Sequence, residues 1–201
     1  MGLRDEKKQA TRAAIADAAL RLFLEKGFDR VTVAEVARAA HVSVNTAFNY
    51  FPTKEDLLFD RQDEVVQRLS HAVRDRRPGE SPAAAAHRAF LDRLDRDDPT
   101  LGLTPDAVRF WRLIDGSPAL QARTRLLHEM TETALAAALA ESFDPTTARL
   151  TAALLTAADR ALHTEIRHRV TRGDPPTAVR TAITTVAARL FTVLDDTTRG
   201  C

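Results

Sequence analysis

The sequence predicts an all-α protein with about nine helices. Alanine, which favours helices, occurs 35 times among the 201 residues, whereas glycine occurs only 7 times. No segment alternates apolar and polar residues with the period of two that a half-buried strand requires. Helix-start signals recur instead, in which Ser, Thr or Asp precedes a helical pattern or a proline, as at Thr32, Asp144 and Asp174.

Four helices are predicted in the first part of the chain. The first ends at Gly27, the usual stop position. Thr32 and Glu35 have the spacing of a capping box, which begins the second, and Ser43 can cap the third. Thr53 begins the fourth with a weaker capping box in which Asp is the partner. The predicted ranges are about 8–26, 32–39, 43–51 and 53–74.

Five further helices, most of them longer, are predicted after a turn-rich linker at residues 76–82. Their limits follow from proline and glycine positions, of which Pro145 after Asp144 is typical, since proline is favoured at the first helical position. No internal repeat is visible. The predicted ranges are about 82–96, 105–115, 118–141, 144–172 and 174–195.

Composition excludes several classes of protein. The single cysteine, Cys201, cannot form an intrachain disulfide, which argues against a disulfide-stapled secreted domain. No run reaches the roughly 20 consecutive apolar residues of a membrane span. The first residues lack the apolar segment of a signal peptide. With 44% hydrophobic residues the chain is predicted to be a folded, cytoplasmic protein without a membrane partner.

Charge is distributed unevenly along the chain. The formal net charge is +1, yet residues 1–54 hold 9 basic and 6 acidic side chains, including all four lysines. The remainder of the chain is slightly acidic. Such asymmetry favours separate tasks for the two parts, although uneven surface charge without function remains an alternative.

The second and third helices have the spacing of a helix-turn-helix. A four-residue connection, Ala39–Val42, joins them, and Val42 is predicted to be the buried residue of the turn. The third helix would present hydroxyl and amide groups that suit phosphate oxygens and base edges, and Val44 suits a thymine methyl group. Lys54 adds a cation beside a predicted helix N-terminus, a natural phosphate contact.

The stretch from Thr32 to Leu58 resembles the signature of the TetR family of transcriptional regulators. The resemblance covers roughly residues 10–60, and the rest of the chain agrees only in size and helical pattern. The family elements read here Phe23, Gly27-Phe28, Thr32, Val42-Ser43, Thr46, Phe48, Tyr50-Phe51, Lys54 and Leu57-Leu58.

The resemblance implies an N-terminal three-helix DNA-binding helix-turn-helix domain, residues 1–54, and a larger effector-binding and dimerisation domain, residues 55–201. The implied DNA contacts fall into three groups. Thr32 and Ser43 would cap helices, and Thr32 would also meet a phosphate. Val44, Asn45, Thr46 and Phe48 would face bases or sugars, and Asn49, Tyr50 and Lys54 would hold the backbone.

Two positions depart from the family pattern. His41 stands where glycine is usual, and it tolerates a positive φ less well. Phe48 stands where tyrosine is usual, so one hydroxyl contact is lost, and a core position is the alternative for this side chain. The basic residues Arg4, Lys7, Lys8 and Arg12 either touch DNA or form an ordinary frayed terminus.

The second domain is predicted to hold an unidentified small-molecule effector and the face of a homodimer. The dimer residues have a core position in the monomer as their alternative. The pocket candidates are Phe90, Leu94, Phe110, Trp111, Ile114, Leu127, Met130 and His163. The dimer candidates are Leu154, Leu155, Ala158, Leu162, Ile183, Val186 and Leu190.

No catalytic, metal or cofactor site is predicted. His163 and His168 are five residues apart, so they splay around a helix and do not share one metal ion. The sequence therefore predicts a homodimeric DNA-binding regulator, a repressor that a ligand releases from a pseudo-palindromic double-stranded operator. The alternative is a helical protein-interaction module that has lost DNA binding.

Overall fold

The structure, a computed structural model, describes residues 2–104 and 106–198, and the regular elements among them are all helical. This confirms the predicted all-α class with nine helices. Single 3₁₀ turns lie at Glu55–Leu57 and Pro99–Leu101. The helices are α1 (Leu3–Lys26), α2 (Val33–Ala39), α3 (Val44–Tyr50), α4 (Gln62–Arg74), α5 (Pro82–Asp95), α6 (Ala107–Asp115), α7 (Pro118–Leu139), α8 (Pro145–Thr171) and α9 (Pro176–Thr198).

The chain divides into two compact units. The first contains the residues up to Asp63 together with Arg109–Thr124, and the second contains Glu64–Val108 together with the residues from Arg125 onward. The predicted boundary after residue 54 differs from this division in two respects. The first unit extends nine residues further, and it also includes most of α6 and the beginning of α7, which the sequence places in the second domain.

The core of the first unit explains why the later segment belongs to it. Buried Phe23, Val36 and Phe51 from the first three helices and the segment after them share one cluster with Leu120 of α7. Phe110 of α6 packs against this cluster, and its ring meets that of Phe59 edge-on with the centroids 6.4 Å apart. Burial of apolar surface, at about 25 cal/mol per Å², therefore ties a distant segment to the N-terminal helices.

The predicted helix over residues 53–74 is interrupted. The capping box at its start is present: the Thr53 N–H donates to Asp56 Oδ2 at 2.9 Å, and the Asp56 N–H donates to Thr53 Oγ1 at 3.2 Å. However, only one 3₁₀ turn follows, and α4 begins at Gln62. Arg12 donates to the backbone carbonyl of Asp60 at 2.8 Å, which stabilises the non-helical connection between the two elements.

In the second unit α9 packs against both α5 and α8. Two helices of this unit begin with a side-chain cap, of which the sequence predicts the one at Asp144. Ser81 Oγ accepts from the Ala84 N–H at 3.0 Å, and Asp144 Oδ1 accepts from the N–H groups of Thr146 and Thr147. The largest buried side chains here include Leu94, Leu135, Leu139, Leu155, Leu162 and Ile166.

Within the described residues, α9 is the helix whose length and composition would allow it to cross a membrane. Core helices of soluble proteins pass the same test, and residues of α9 such as Val179, Ile183 and Ala187 are fully buried. The packing against α5 and α8 accounts for the buried part of this helix, which is 28% of the apolar window.

Candidate nucleic-acid interface

The turn between α2 and α3 is a Schellman motif. The Val42 N–H donates to the Ala37 carbonyl at 2.9 Å, and the His41 N–H donates to the Arg38 carbonyl at 3.2 Å. His41 adopts the left-handed conformation with φ 55°, so the turn keeps the geometry that favours glycine although histidine occupies it. Val42 is half-buried and packs against the core of the first unit, which fixes where α3 begins.

The start of α2 is held by the predicted capping box. The Thr32 N–H donates to Glu35 Oε2 at 2.9 Å, and the Glu35 N–H donates to Thr32 Oγ1 at 3.2 Å. The bond from Thr32 and the Lys26 ammonium, 3.2 Å from Oε1, lower the pKa of Glu35 from 4.5 to about 2. The hydroxyl of Thr32 is therefore engaged within the protein.

Helix α3 is anchored on one side by Ala47, which is fully buried. Ser43 caps it as predicted, because its Oγ accepts from the Thr46 N–H at 3.0 Å. The hydroxyls of Ser43 and Thr46 also lie 2.8 Å apart and share a hydrogen bond. Both hydroxyls thus stabilise the first turn of α3.

The opposite side of α3 presents four exposed side chains. Val44 is 39% exposed and Phe48 is 44% exposed, and they lie one turn apart. Asn45 and Asn49 form a parallel exposed pair. Phe48 therefore lies at the surface and not in the core, which removes the alternative that the sequence left open. This face combines amide groups that can read base edges with apolar groups that can contact thymine methyls or sugars.

Arg12 braces α1 against the end of α3. Its guanidinium donates to the carbonyl of Tyr50 at 3.0 Å and lies 4.4 Å from the centroid of the Phe51 ring. Together with the bond to Asp60, these contacts give Arg12 a structural role, contrary to the alternatives of a DNA contact or a frayed terminus. No local signal indicates this role, since Arg12 and Tyr50 are 38 residues apart.

The other basic residues of the N-terminus lie on the first turns of α1, which begins at Leu3. Arg4, Lys7 and Lys8 line a surface groove of about 600 Å³ together with Asp5, Thr11 and Tyr50. The groove therefore joins three cations to Tyr50, one of the residues expected to hold the DNA backbone. Its charge suits a phosphate group.

Lys54 is placed differently from the prediction. It precedes a single 3₁₀ turn, so the helix N-terminus expected beside it is not formed there. Its ammonium lies 4.3 Å from the centroid of the Phe28 ring and 6.0 Å from that of Phe23. A cation–π contact of this kind positions the ammonium over the aromatic pair.

A buried carboxylate organises the first unit, and the sequence reasoning missed it. Asp56 is 5% exposed, and besides the Thr53 N–H it accepts from Gln62 Nε2 at 3.1 Å and from the Arg123 guanidinium. The Arg123 guanidinium also donates to Gln62 Oε1. This network fixes the beginning of α7 to the connection that follows α3. The residues are separated by up to 67 positions, so no local pattern indicates it.

Comparison with known proteins finds a family match in the N-terminal part of the chain. The sequence profile described as bacterial regulatory proteins, tetR family, matches residues 15–60, which span the helix-turn-helix and the connection after it. The N-terminal segment of the chain is thus similar to the DNA-binding part of TetR-family regulators. The regulator TcmR of Streptomyces glaucescens is 33% identical over 125 residues, which cover 60% of this chain and 55% of TcmR. The matched segment thus spans about half the length of this curated relative.

Solved structures of TetR-family proteins share the fold over nearly the whole chain. A TetR-family regulator from Streptomyces coelicolor superposes with a TM-score of 0.59 at 20% identity, covering 92% of this chain and 94% of that one. The SmeT–triclosan complex gives a TM-score of 0.58 at 15% identity, covering 94% and 91%. At this level of identity the likeness concerns the fold alone, and it confirms the all-helical TetR architecture.

The predicted pocket residues are divided between the two units. Phe110, Trp111 and Ile114 lie in the first unit, where Phe110 and Ile114 pack against its core. The structure therefore does not place them with the other candidates. In the second unit Phe90, Leu94 and Leu127 are buried, whereas Met130 is 39% exposed and 26% of the His163 side chain is exposed.

The predicted dimer residues also separate into two groups. Leu155, Ala158, Leu162 and Ile183 are buried within the second unit, so the alternative of a core position holds for them. Leu154 is 42% exposed, and Val186 and Leu190 are half-buried. The most exposed large apolar side chains of the same two helices are Leu150, at 63%, and Val193, at 65%.

Within residues 2–104 and 106–198, no group of three or more His, Cys, Asp or Glu side chains is arranged to hold a metal ion.

Proposed function

We propose that this protein is a DNA-binding transcriptional regulator whose recognition element is α3. The observation that carries the proposal is the exposed face formed by Val44, Asn45, Phe48 and Asn49 on a helix that a capped start and a Schellman turn hold in place. Side chains held in this way suit direct readout in the major groove. The similarity of the N-terminal segment to TetR-family regulators supports the same reading.

The basic groove on α1 supplies the complementary contact. Arg4, Lys7 and Lys8 lie beside Tyr50, at the C-terminal end of α3, so that a phosphate bound there would fix the register of the recognition helix. Lys54, held over Phe28, is a second candidate for the DNA backbone. Ser43 and Thr32 act chiefly as caps, and the Thr32 hydroxyl proton is used in the bond to Glu35. The bond between the hydroxyls of Ser43 and Thr46 uses only one of their two protons, so the other remains available to donate to a phosphate.

The active form is proposed to be a homodimer on a pseudo-palindromic site. Helix-turn-helix dimers place their recognition helices about 34–36 Å apart, one turn of B-DNA. Leu150 and Leu154 of α8 and Val193 of α9 leave apolar surface exposed in the single chain, and a second copy would bury it. Val186 and Leu190, half-buried on α9, would border that contact.

The output is proposed to be repression that a small molecule relieves. TetR-family structures include one that carries triclosan, in SmeT. Here the second unit would bind the effector and shift the population away from the DNA-binding state. Such a regulator acts in the cytoplasm, where its DNA is, and performs no catalysis; the curated relatives by sequence are transcriptional regulators.

Selection of bound fragments from the genomic DNA of the source organism, followed by fluorescence anisotropy with the selected site, tests this function. We expect nanomolar-range binding that weakens steeply with salt, because phosphate contacts release counterions. Asn45→Ala should change base preference, whereas Lys8→Ala should weaken all sequences equally and lower the salt slope by about 1. Asp92→Ala, an exposed change in the second unit, is the control.

Two results would contradict the proposal. Selection that recovers no preferred sequence would favour the alternative of an interaction module without DNA binding. Uniform weakening by Asn45→Ala across all sites would remove α3 as the element that reads bases.

A further inference from the structure

A buried polar cluster lies inside the second unit, where apolar packing would be expected. Arg68 of α4 pairs with Asp159 of α8 through its Nη2 atom, which also lies 3.3 Å from His163 Nε2. Arg93 of α5 approaches the same carboxylate, with Nη1 4.0 Å from Asp159 Oδ1. Asp159 is 7% exposed, so two helices, α4 and α5, direct arginines to one buried carboxylate on α8.

The two arginines of this cluster differ in how their N–H groups are used. Arg93 Nε donates to Asp98 Oδ2 at 3.1 Å, and its Nη2 donates to Thr100 Oγ1 at 2.8 Å. These bonds hold the 3₁₀ turn at Pro99–Leu101 against α5 and occupy the Nε–Nη2 edge of Arg93. The Nε and Nη2 groups of Arg93 therefore both have hydrogen-bond partners within the chain.

Arg68 is incompletely satisfied. Its Nε is buried without a hydrogen-bond partner. An unmade bond of this kind destabilises the folded protein, and buried polar groups seldom remain unpaired without a reason. The Nε and Nη2 groups of an arginine point in parallel and match the two oxygens of a carboxylate, and in Arg68 only one of the pair is used.

Two neighbours on α8 add further hydrogen-bonding capacity. Thr156 precedes Asp159 by one turn on the same face of the helix, and its Oγ1 is buried without a partner. Burial, together with the positive charges of Arg68 and Arg93, lowers the pKa of His163 to about 4, although Asp159 opposes this. His163 is therefore neutral at pH 7 and offers a hydrogen bond without a charge.

The edge of the cluster reaches the surface of the unit. The side chain of His163 is 26% exposed and that of Arg68 is 16% exposed, whereas Arg68 Nε itself is buried. A ligand would therefore have to enter beside these two side chains to reach Nε, and apolar residues of the same unit would have to move apart to hold its apolar part.

We propose that this cluster is the polar end of an effector site, in which Arg68 binds an organic carboxylate through its Nε and Nη2 groups. Asp159 now occupies half of that edge and would share Nη2 with the incoming carboxylate, while Thr156 donates to the ligand. The regulatory meaning of this site rests on the proposed function, but the binding itself does not.

Binding is measured with the full-length chain and no DNA, using sodium decanoate as the anionic probe and 1-decanol as its neutral counterpart. We expect decanoate to raise Tm and to give a saturable calorimetric isotherm, whereas decanol at equal concentration does neither. Arg68→Lys keeps the charge and removes the two-pronged edge, so it should weaken decanoate binding by about tenfold or more. Arg74→Lys, on the same helix and in an exposed pair with Glu141, should leave binding unchanged.

A second variant covers the case in which Arg68→Lys does not fold. Thr156→Val removes a hydroxyl that has no partner in the chain, so the fold should be kept while decanoate binding weakens several-fold. Equal stabilisation by decanol, or unchanged decanoate affinity in both variants, would overturn the carboxylate site. If decanoate binds but no DNA sequence is selected, the regulatory function is refuted and the carboxylate site is supported. If a DNA sequence is selected but decanoate does not bind, the carboxylate site is refuted and the regulatory function is supported.

Discussion

Replacing His41 with glycine should stabilise the first unit. His41 has φ 55° at the turn between α2 and α3, and four of the five other described positions with positive φ are glycines. A side chain in the left-handed region costs about 1–2 kcal/mol. Glycine avoids this cost, but about 0.5–1 kcal/mol of the resulting gain is lost because glycine also raises the conformational entropy of the unfolded chain. His41 is exposed, so little packing is lost, and the net gain should be about 0.5–1 kcal/mol.

The assay follows the only tryptophan of the chain. Trp111 belongs to the first unit, so its fluorescence during urea unfolding reports on the unit that contains His41. The midpoint for His41→Gly should rise while the slope with denaturant stays the same. His41→Ala keeps a side chain at positive φ and should show no gain. A midpoint that is unchanged or lower for His41→Gly would refute the assignment of strain to this turn.

Three further predictions concern a buried charge, a titrating cap and the exposed apolar face. Asp56→Ala leaves the Arg123 guanidinium without its carboxylate and should lower the free energy of unfolding by about 3 kcal/mol in the same Trp fluorescence assay. Asp17→Ala, at an exposed position, should cause no such loss. Equally small losses in both variants would contradict the role of Asp56. The folded pKa of Glu35, about 2, lies below its unfolded value of 4.5, so the contribution of its carboxylate to stability is complete above pH 4.5 and is lost as the pH falls towards 2. Glu35→Gln should therefore flatten the plot of unfolding free energy against pH in this range. An identical decline in both proteins would refute this prediction. Leu150→Arg should convert the dimer into monomers in analytical ultracentrifugation while the helical circular dichroism stays constant, and an unchanged dimer would place the interface elsewhere.

Local signals predicted most of the elements correctly, because they depend on residues close in sequence. Thr32, Ser43 and Asp144 begin helices through bonds that span two or three positions, and these three predicted caps are present. The fourth helix shows the limit of such signals. The capping box at Thr53 forms, yet the helix does not continue, since contacts from Arg12, 48 residues away from Asp60, stabilise another path.

The candidate interface follows the same division. The sequence indicated α3 and its polar residues, but exposure separated Asn45 and Phe48, which face outward, from Ala47, which is buried. Leu155 and Leu154 are adjacent apolar residues in the sequence, and only packing shows that the first is in the core and the second is at the surface. Their DNA and dimer roles remain predictions.

The sequence by itself determined the helical class and the helix-turn-helix with its TetR-like signature, because helix periodicity, caps and the spacing of the motif are properties of short segments. Tertiary structure alone decided which segments share a core and which polar groups are brought together. Residues 109–124 join the first unit, Arg123 reaches Asp56, and Arg68 meets Asp159 across 91 positions. Such pairings depend on the burial of apolar surface from distant segments, which brings together charges that no local pattern relates.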